Sequence, residues 1–201
     1  IPCDAEPASE FRYRNPVIEK DVLYLAVSLS GETLDTLMAV QEVKRKGGRI
    51  LGVVNVVGST IAREVDGGIY IHAGPEVSVA STKTFTSTGA AFALLALHIG
   101  RIRDLGPSDG RRLINALEAL PELITTIVEN TDEIRATATR FAAATNTFFI
   151  GRTGMYPIAL EGAQKLKEIA YIHAEAYPAA ELKHGPLALI SPAIPTVALV
   201  P

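Results

Sequence analysis

The chain has 201 residues, 48% of them hydrophobic and 20% charged, and its formal net charge is −3. This is the composition of a core-forming globular chain, one large domain or about two small ones. The lack of any basic block excludes a general nucleic-acid footprint. The single cysteine, Cys3, excludes an internal disulfide framework and fits a reducing, cytoplasmic compartment.

Ile1-Pro2-Cys3-Asp4 is neither basic nor followed by an apolar stretch, so it does not read as a secretory signal. The most apolar helix candidate, Gly89 to Ile99, is shorter than the ~20 residues of a membrane span and reads as a buried helix. The chain starts without methionine and stops at Leu199-Val200-Pro201, directly after a strand-like run. It is therefore read as part of a longer protein.

In chain order, Leu23–Ser28 is a continuous apolar run and predicts a buried strand. Glu32–Lys46 predicts a helix ended by Gly47-Gly48. Arg49–Asn55 predicts a second buried strand, Ser59–Glu64 a helical turn, and Gly68–His72 a third strand. Strand–helix–strand alternation at this spacing argues for a parallel sheet with helices on its faces. From Ser81 the chain turns helical: Thr84–Arg103 is long and apolar, and Ser108–Leu120, Pro121–Glu129 and Asp132–Ala144 are amphipathic. A strand at Thr147–Ile150, a helix at Tyr156–Ala174, a turn around His184–Ile190 and a strand at Thr196–Val200 complete the chain. The strand–glycine turn–helix plan thus occurs twice, which puts a domain boundary near residue 145.

Ser28-Leu29-Ser30-Gly31-Glu32-Thr33 links the first strand to the first long helix. Helix starts carry unpaired N–H groups with partial positive charge, and serine and threonine hydroxyls add donors, so the turn can cradle a phosphate. It can equally be an ordinary helix cap. Ser81, in Val79-Ala80-Ser81-Thr82-Lys83, has the same two readings: a cap for the long helix, or a donor to sugar hydroxyls. Glu161, Lys165 and Glu168 are spaced to share a helical arc of roughly 60°, at the edge of an apolar surface that includes Ile158, Ile169 and Ile172. They form either a helix-stabilising pair worth about 0.2–0.5 kcal/mol or an acid/base group facing a cleft. His184 precedes Gly185-Pro186 in a turn. It is either a surface histidine or a proton donor and acceptor near neutral pH. His72, His98 and His173 have no metal-ligand spacing with it. His98 reads as a helix-packing residue, and no metal or cofactor is expected.

Taken together these segments resemble the sugar isomerase (SIS) domains of the glutamine–fructose-6-phosphate aminotransferase family. The resemblance runs through nearly the whole chain. Its clearest parts are Ala8–Arg14, Ser30–Leu37, Val79–Thr86, Ala159–Ala163 with Lys165–Ile169, and Tyr171–Tyr177 leading into Glu181–Ile190. It implies a three-layer α/β/α, flavodoxin-like SIS fold with a parallel sheet: a first domain over 1–145 lacking its initial strand, and the beginning of a second over 146–201.

The resemblance also implies a fructose 6-phosphate site and glucosamine 6-phosphate as product. Ser28, Ser30 and Thr33 match the phosphate-binding positions, and Val79 and Ser81 match positions lining the sugar. Glu168 matches the carboxylate that moves a proton between C1 and C2, with Glu161 and Lys165 beside it. His184 matches the histidine tied to ring opening, which reaches a neighbouring subunit; a homodimer follows. A glutaminase domain with a cysteine nucleophile is the implied partner on the longer chain, and Cys3 does not match that nucleophile.

Three departures stand out. Leu29 replaces the family's usual glutamine, and Ser78 and Ala180 replace glycines. The C-terminal lysine used on the sugar carbonyl lies outside this sequence, so the 201 residues alone are not expected to complete the reaction. The alternatives are an SIS protein that isomerises or deaminates another sugar phosphate, and a non-catalytic sugar-phosphate sensor.

Overall fold

The computed structural model describes residues 2–200. The chain divides into two compact units, Ile1–Val77 with Ser81–Glu118, and Ser78–Ala80 with Ala119–Pro201.

The first unit contains α1 (Ala8–Phe11), β1 (Leu23–Ser28), α2 (Leu34–Arg45), β2 (Arg49–Val54), α3 (Thr60–Glu64), β3 (Gly68–Tyr70) and α4 (Lys83–Ile102). A further helix, α5 (Pro107–Glu129), begins here and continues into the second unit. The strands are all parallel in the order β1-β2-β3, with Leu23 opposite Arg49 and Gly52 opposite Gly68. Side-chain alternation sorts the two faces. Ala26, Ile50 and Val54 point to the side of α2 and α3, where Val40, Val43 and Ile61 complete the core. Val40 and Ile61 are fully buried, so truncating either would open a cavity costing about 1–5 kcal/mol. On the other face Leu25, Leu51, Val53 and Ile69 meet Leu95 of α4 around a cavity of about 70 Å³. Helices therefore lie on both sides of this sheet, as the strand–helix alternation predicts.

Three expectations change in this unit. The continuous apolar run predicts that β1 is buried throughout, yet Leu23 and Val27 are 46% and 42% exposed. β1 is an edge strand, and α4 covers its second face only thinly. The apolar run at 89–99 predicts a buried helix, yet among the described residues of α4 only Thr84, Ala91 and Leu97 are buried. α4 is long and apolar enough to cross a membrane by length and composition, but its start is fastened to the loop before it and its Leu95 rests on the sheet. His98, read as a packing residue, is exposed.

The second unit contains the end of α5, then α6 (Asp132–Phe141), β4 (Asn146–Gly151), α7 (Met155–Ala170), β5 (His173–Pro178), two 3-10 turns at Glu181–Lys183 and Pro186–Leu189, and β6 (Thr196–Leu199). Pro121 falls inside α5, which runs on where the sequence suggests two helices. A proline removes one N–H, and a long helix absorbs this as a local bend.

The second sheet is parallel, with the order β5-β4-β6. Its central strand β4 is therefore where the winding reverses, the position at which open α/β sheets leave a crevice. Strand β5 is the main surprise, because the helical pattern predicts helix through Ala174. Tyr171 ends α7 in the left-handed conformation, φ 57°, and His173 already pairs with Asn146. The core signal of β5 is little more than Ala174, which is fully buried, so the segment carries almost no apolar pattern. Gly162 brings α7 onto this sheet: a Cβ there would stand 2.8 Å from a ring carbon of Phe149.

Candidate functional site

The turn after β1 is organised by its own hydroxyls. Ser28 is buried at the strand end, and its Oγ accepts from the Gly31 N–H at 3.1 Å and shares a 3.0 Å bond with Thr33 Oγ1. Ser30 Oγ accepts from the Glu32 N–H at 3.2 Å. Gly31 has φ 66°, and a Cβ at that position would lie 2.0 Å from Ser59 Oγ. A side chain is thus excluded by conformation and by space together. Thr33 sits at the start of α2 but makes no side-chain capping bond, which leaves the first-turn N–H groups of α2 available. Leu29 is half-buried, and its carbonyl accepts from Asn55 N–H at 3.1 Å.

Residues outside the sequence reading hold this turn. Asn55, just after β2, bonds Leu29 through its backbone; its side chain accepts from Ala73 N–H at 2.9 Å and donates to the Gly74 carbonyl at 2.7 Å. It ties the hydroxyl turn to the loop that leads towards α4. Glu32 reaches across to accept the Thr60 N–H at 2.8 Å, and hydrogen bonding from the Thr60 side chain, then from this N–H, holds its carboxyl below the usual range. Ser59 Oγ is buried behind Gly31 with no hydrogen-bond partner among the described residues. An asparagine after a parallel strand and a glutamate in a helix-start turn were the available signals.

The start of α4 is built differently. Ser81 Oγ bonds Thr84 Oγ1, and Thr84 is buried. One of the two sequence readings makes Ser81 the helix cap, yet the residue at the helix boundary, Thr82, makes no side-chain capping bond of that kind. The cap is Glu76. Its carboxylate accepts from the N–H groups of Thr82 and Thr84, each at 3.3 Å, and from their hydroxyls at 3.0 and 2.7 Å. The hydroxyl bond from Thr84 is the largest influence on its acidity, and the pKa falls to about 2. Val79, in the short segment Ser78–Ala80 assigned to the second unit, is 93% exposed.

On α7 the predicted ionisable row is real. Lys165 Nζ lies 2.6 Å from Glu168 Oε2 and 3.4 Å from Glu161 Oε1. Gln164 Nε2 donates to the other oxygen of Glu168 at 2.8 Å. Burial opposes the Lys165 charge, but its carboxylate partners outweigh burial and its pKa rises. For Glu168 the bonds from Lys165 and then Gln164 pull the pKa below the ordinary carboxylate value. Sequence leaves that direction open; the geometry makes Glu168 a carboxylate at neutral pH, a proton acceptor. The opposite face of α7, Ala159 and Ala163, is buried, whereas Ile158 and Ile169 beside the ionisable row are 40% and 60% exposed. The row is therefore flanked by open apolar surface.

His184 closes the first 3-10 turn, with its N–H donating to the Glu181 carbonyl at 3.0 Å. Its ring is exposed and makes no hydrogen bond among the described residues, and Leu187 and Leu189 beside it are 54% and 62% exposed. The hydroxyl turn and Ser81 thus belong to the first unit, and the α7 row, Val79 and His184 to the second. Among the described residues no cluster of three or more histidines, cysteines or carboxylates is placed to hold a metal ion.

A hydroxyl-lined turn at the carboxyl end of a parallel strand places the protein among open α/β proteins that take their ligands at strand ends. The SIS domain profile matches residues 1–98 and 140–201, and the chain belongs to the SIS-domain family. Its sequence is 50% identical over 99% of its length to a glutamine–fructose-6-phosphate aminotransferase (isomerizing) of Thermus thermophilus. It is 46% identical, again over 99% of its length, to that of Chlorobaculum tepidum. The chain spans about a third of these relatives, 33% and 32%. Its fold matches the C-terminal domain of glucosamine-fructose-6-phosphate aminotransferase from Francisella tularensis. There the TM-score is 0.96 and the identity 41%, over 100% of this chain and 57% of the other.

Proposed function

We propose that the chain is the sugar-isomerase portion of a glutamine–fructose-6-phosphate aminotransferase, which converts fructose 6-phosphate into glucosamine 6-phosphate for amino-sugar synthesis. Ser28, Ser30, Thr33 and the start of α2 hold the phosphate; the backbone at Leu29 contributes to the same turn. Val79 and Ser81 line the sugar. Nitrogen adds to C2 with loss of water, the Glu168 carboxylate takes the proton from C1, and the proton is delivered to C2 to give the 2-amino aldose. Lys165 keeps Glu168 ionised, and Glu161 holds Lys165 beside it. His184 serves ring opening.

The observation that carries this reading is Lys165 clamped between Glu161 and Glu168. A sugar-phosphate sensor has use for the hydroxyl turn but none for a carboxylate kept ionised on a half-open helix face. The exposed His184 loop, with Leu187 and Leu189, suits a homodimer contact, and a glutaminase domain on the same polypeptide supplies the nitrogen. The enzyme works in the cytoplasm. The SIS units divide near residue 145, with the second beginning at β4. In the enzyme carrying this chain, Glu168→Gln abolishes isomerisation and leaves fructose 6-phosphate binding intact; unchanged turnover contradicts the assignment.

A further inference from the structure

Two long-helix starts lie near one edge of the first sheet: α2 follows β1 directly, and Asn55, just past β2, bonds the Gly74 carbonyl of the loop whose Glu76 reaches the start of α4. They are not equivalent. The start of α2 has hydroxyls bonded to one another and no side-chain cap. The start of α4 is filled by the Glu76 carboxylate, which takes the N–H groups and hydroxyls of Thr82 and Thr84. An unfilled helix start attracts anions, and a carboxylate fixed there cancels that attraction and repels a second anion.

We propose that Glu76 is a positioning and specificity residue: an internal anion that closes the α4 start to phosphate and fixes the Ser81 hydroxyl for an uncharged part of the ligand. The inference rests on the fructose 6-phosphate reading above. Through Thr84, Glu76 also fixes Ser81, since Ser81 Oγ bonds the same Thr84 hydroxyl that Glu76 accepts. Its low pKa, about 2, keeps the internal anion charged throughout the working pH range. One edge of one sheet thereby carries an anion-accepting end at α2 and an anion-refusing, hydroxyl-presenting end at α4. A sugar phosphate fits that asymmetry with its phosphate at Ser28–Thr33 and its hydroxyls towards Ser81.

The test is calorimetric titration of the full chain with fructose 6-phosphate and, separately, with inorganic phosphate. Glu76→Ala is expected to weaken fructose 6-phosphate at least about tenfold, to leave the tightest phosphate affinity within about twofold, and to add a second, weaker equivalent of bound phosphate at the vacated α4 start. Glu76→Gln keeps an acceptor oxygen and the shape of the side chain; it guards against misfolding of the alanine variant and is expected to weaken the sugar phosphate about threefold or more with phosphate unchanged. Parallel weakening of both ligands marks a merely structural role and overturns the proposal, as does wild-type affinity for the sugar phosphate in both variants. Absence of fructose 6-phosphate binding by the unsubstituted chain overturns the functional reading and this inference with it.

Discussion

Ser28 Oγ and Thr33 Oγ1 lie 3.0 Å apart across the turn that joins β1 to α2. The two hydroxyls satisfy each other, and both can rotate their protons towards an anion without giving up a buried charge. They differ in what else they do. Ser28 also accepts the Gly31 N–H and is buried, whereas Thr33 is exposed. Thr33→Val is therefore expected to weaken fructose 6-phosphate by about 1–2 kcal/mol with little change in melting temperature. Ser28→Ala loses comparable affinity and also destabilises the fold by about 1–3 kcal/mol, because the Gly31 N–H is left without its acceptor. Calorimetry and thermal melts on the two variants separate the roles.

Gly31 and Ser59 form a second coupled pair. Gly31→Ala demands a left-handed residue and drives a Cβ to 2.0 Å from Ser59 Oγ and 2.5 Å from Ser59 Cβ. The expected loss is about 1–3 kcal/mol or more in chemical unfolding. Adding Ser59→Gly removes the colliding atoms and should recover part of that loss, so the double variant is more stable than additivity allows. Strict additivity would show that the contact is not what excludes a side chain at 31.

Leu29 gives a gain-of-function prediction. It holds its place in the turn through its backbone bond to Asn55, and its side chain supplies no donor. Leu29→Gln adds an amide donor next to the hydroxyls and is expected to tighten fructose 6-phosphate by about 1 kcal/mol, roughly fivefold. Equal or weaker binding by the glutamine variant would place that side chain away from the phosphate.

Glu168 sets a pH prediction whose sign follows from the bonds it receives. Its pKa is lowered, first by Lys165 and then by Gln164. The ionised form and the ion pair it makes persist above the ordinary value of 4.5 and are lost only as pH falls through the lower folded value. If Glu168 is the proton acceptor, the acid limb of kcat/KM for isomerisation lies below 4.5. Lys165→Met removes the largest lowering influence and should move the limb upwards, towards that value, in addition to any loss of rate. A limb that stays put in Lys165→Met contradicts the assignment of the limb to Glu168.

The parallel alternation, the strand–turn–helix at 23–45 and the ionisable row on α7 were legible because each follows from a simple spacing. What was hidden lacked such a pattern. β5 buries one alanine fully and shows the other face polar groups, so neither period-two hydrophobicity nor length set it apart from the end of α7. The exposure of β1 and α4 depends on what covers a face, which no local window records. Glu76 caps a helix that starts seven residues later, beyond the reach of an N-cap rule; Asn55 joins loops that are distant in sequence. The hydroxyl turn was visible as a candidate, but no local window shows that Thr33 caps nothing and faces Ser28 instead.

The most direct measurement is calorimetric titration of the full chain with fructose 6-phosphate and with unphosphorylated fructose, repeated on the Ser28→Ala, Thr33→Val double variant. Saturable binding of the phosphorylated sugar is expected, with at least about tenfold weaker binding of fructose and loss of that preference in the double variant. Equal affinity for both sugars, or a double variant that still prefers the phosphorylated one, would contradict the proposed function.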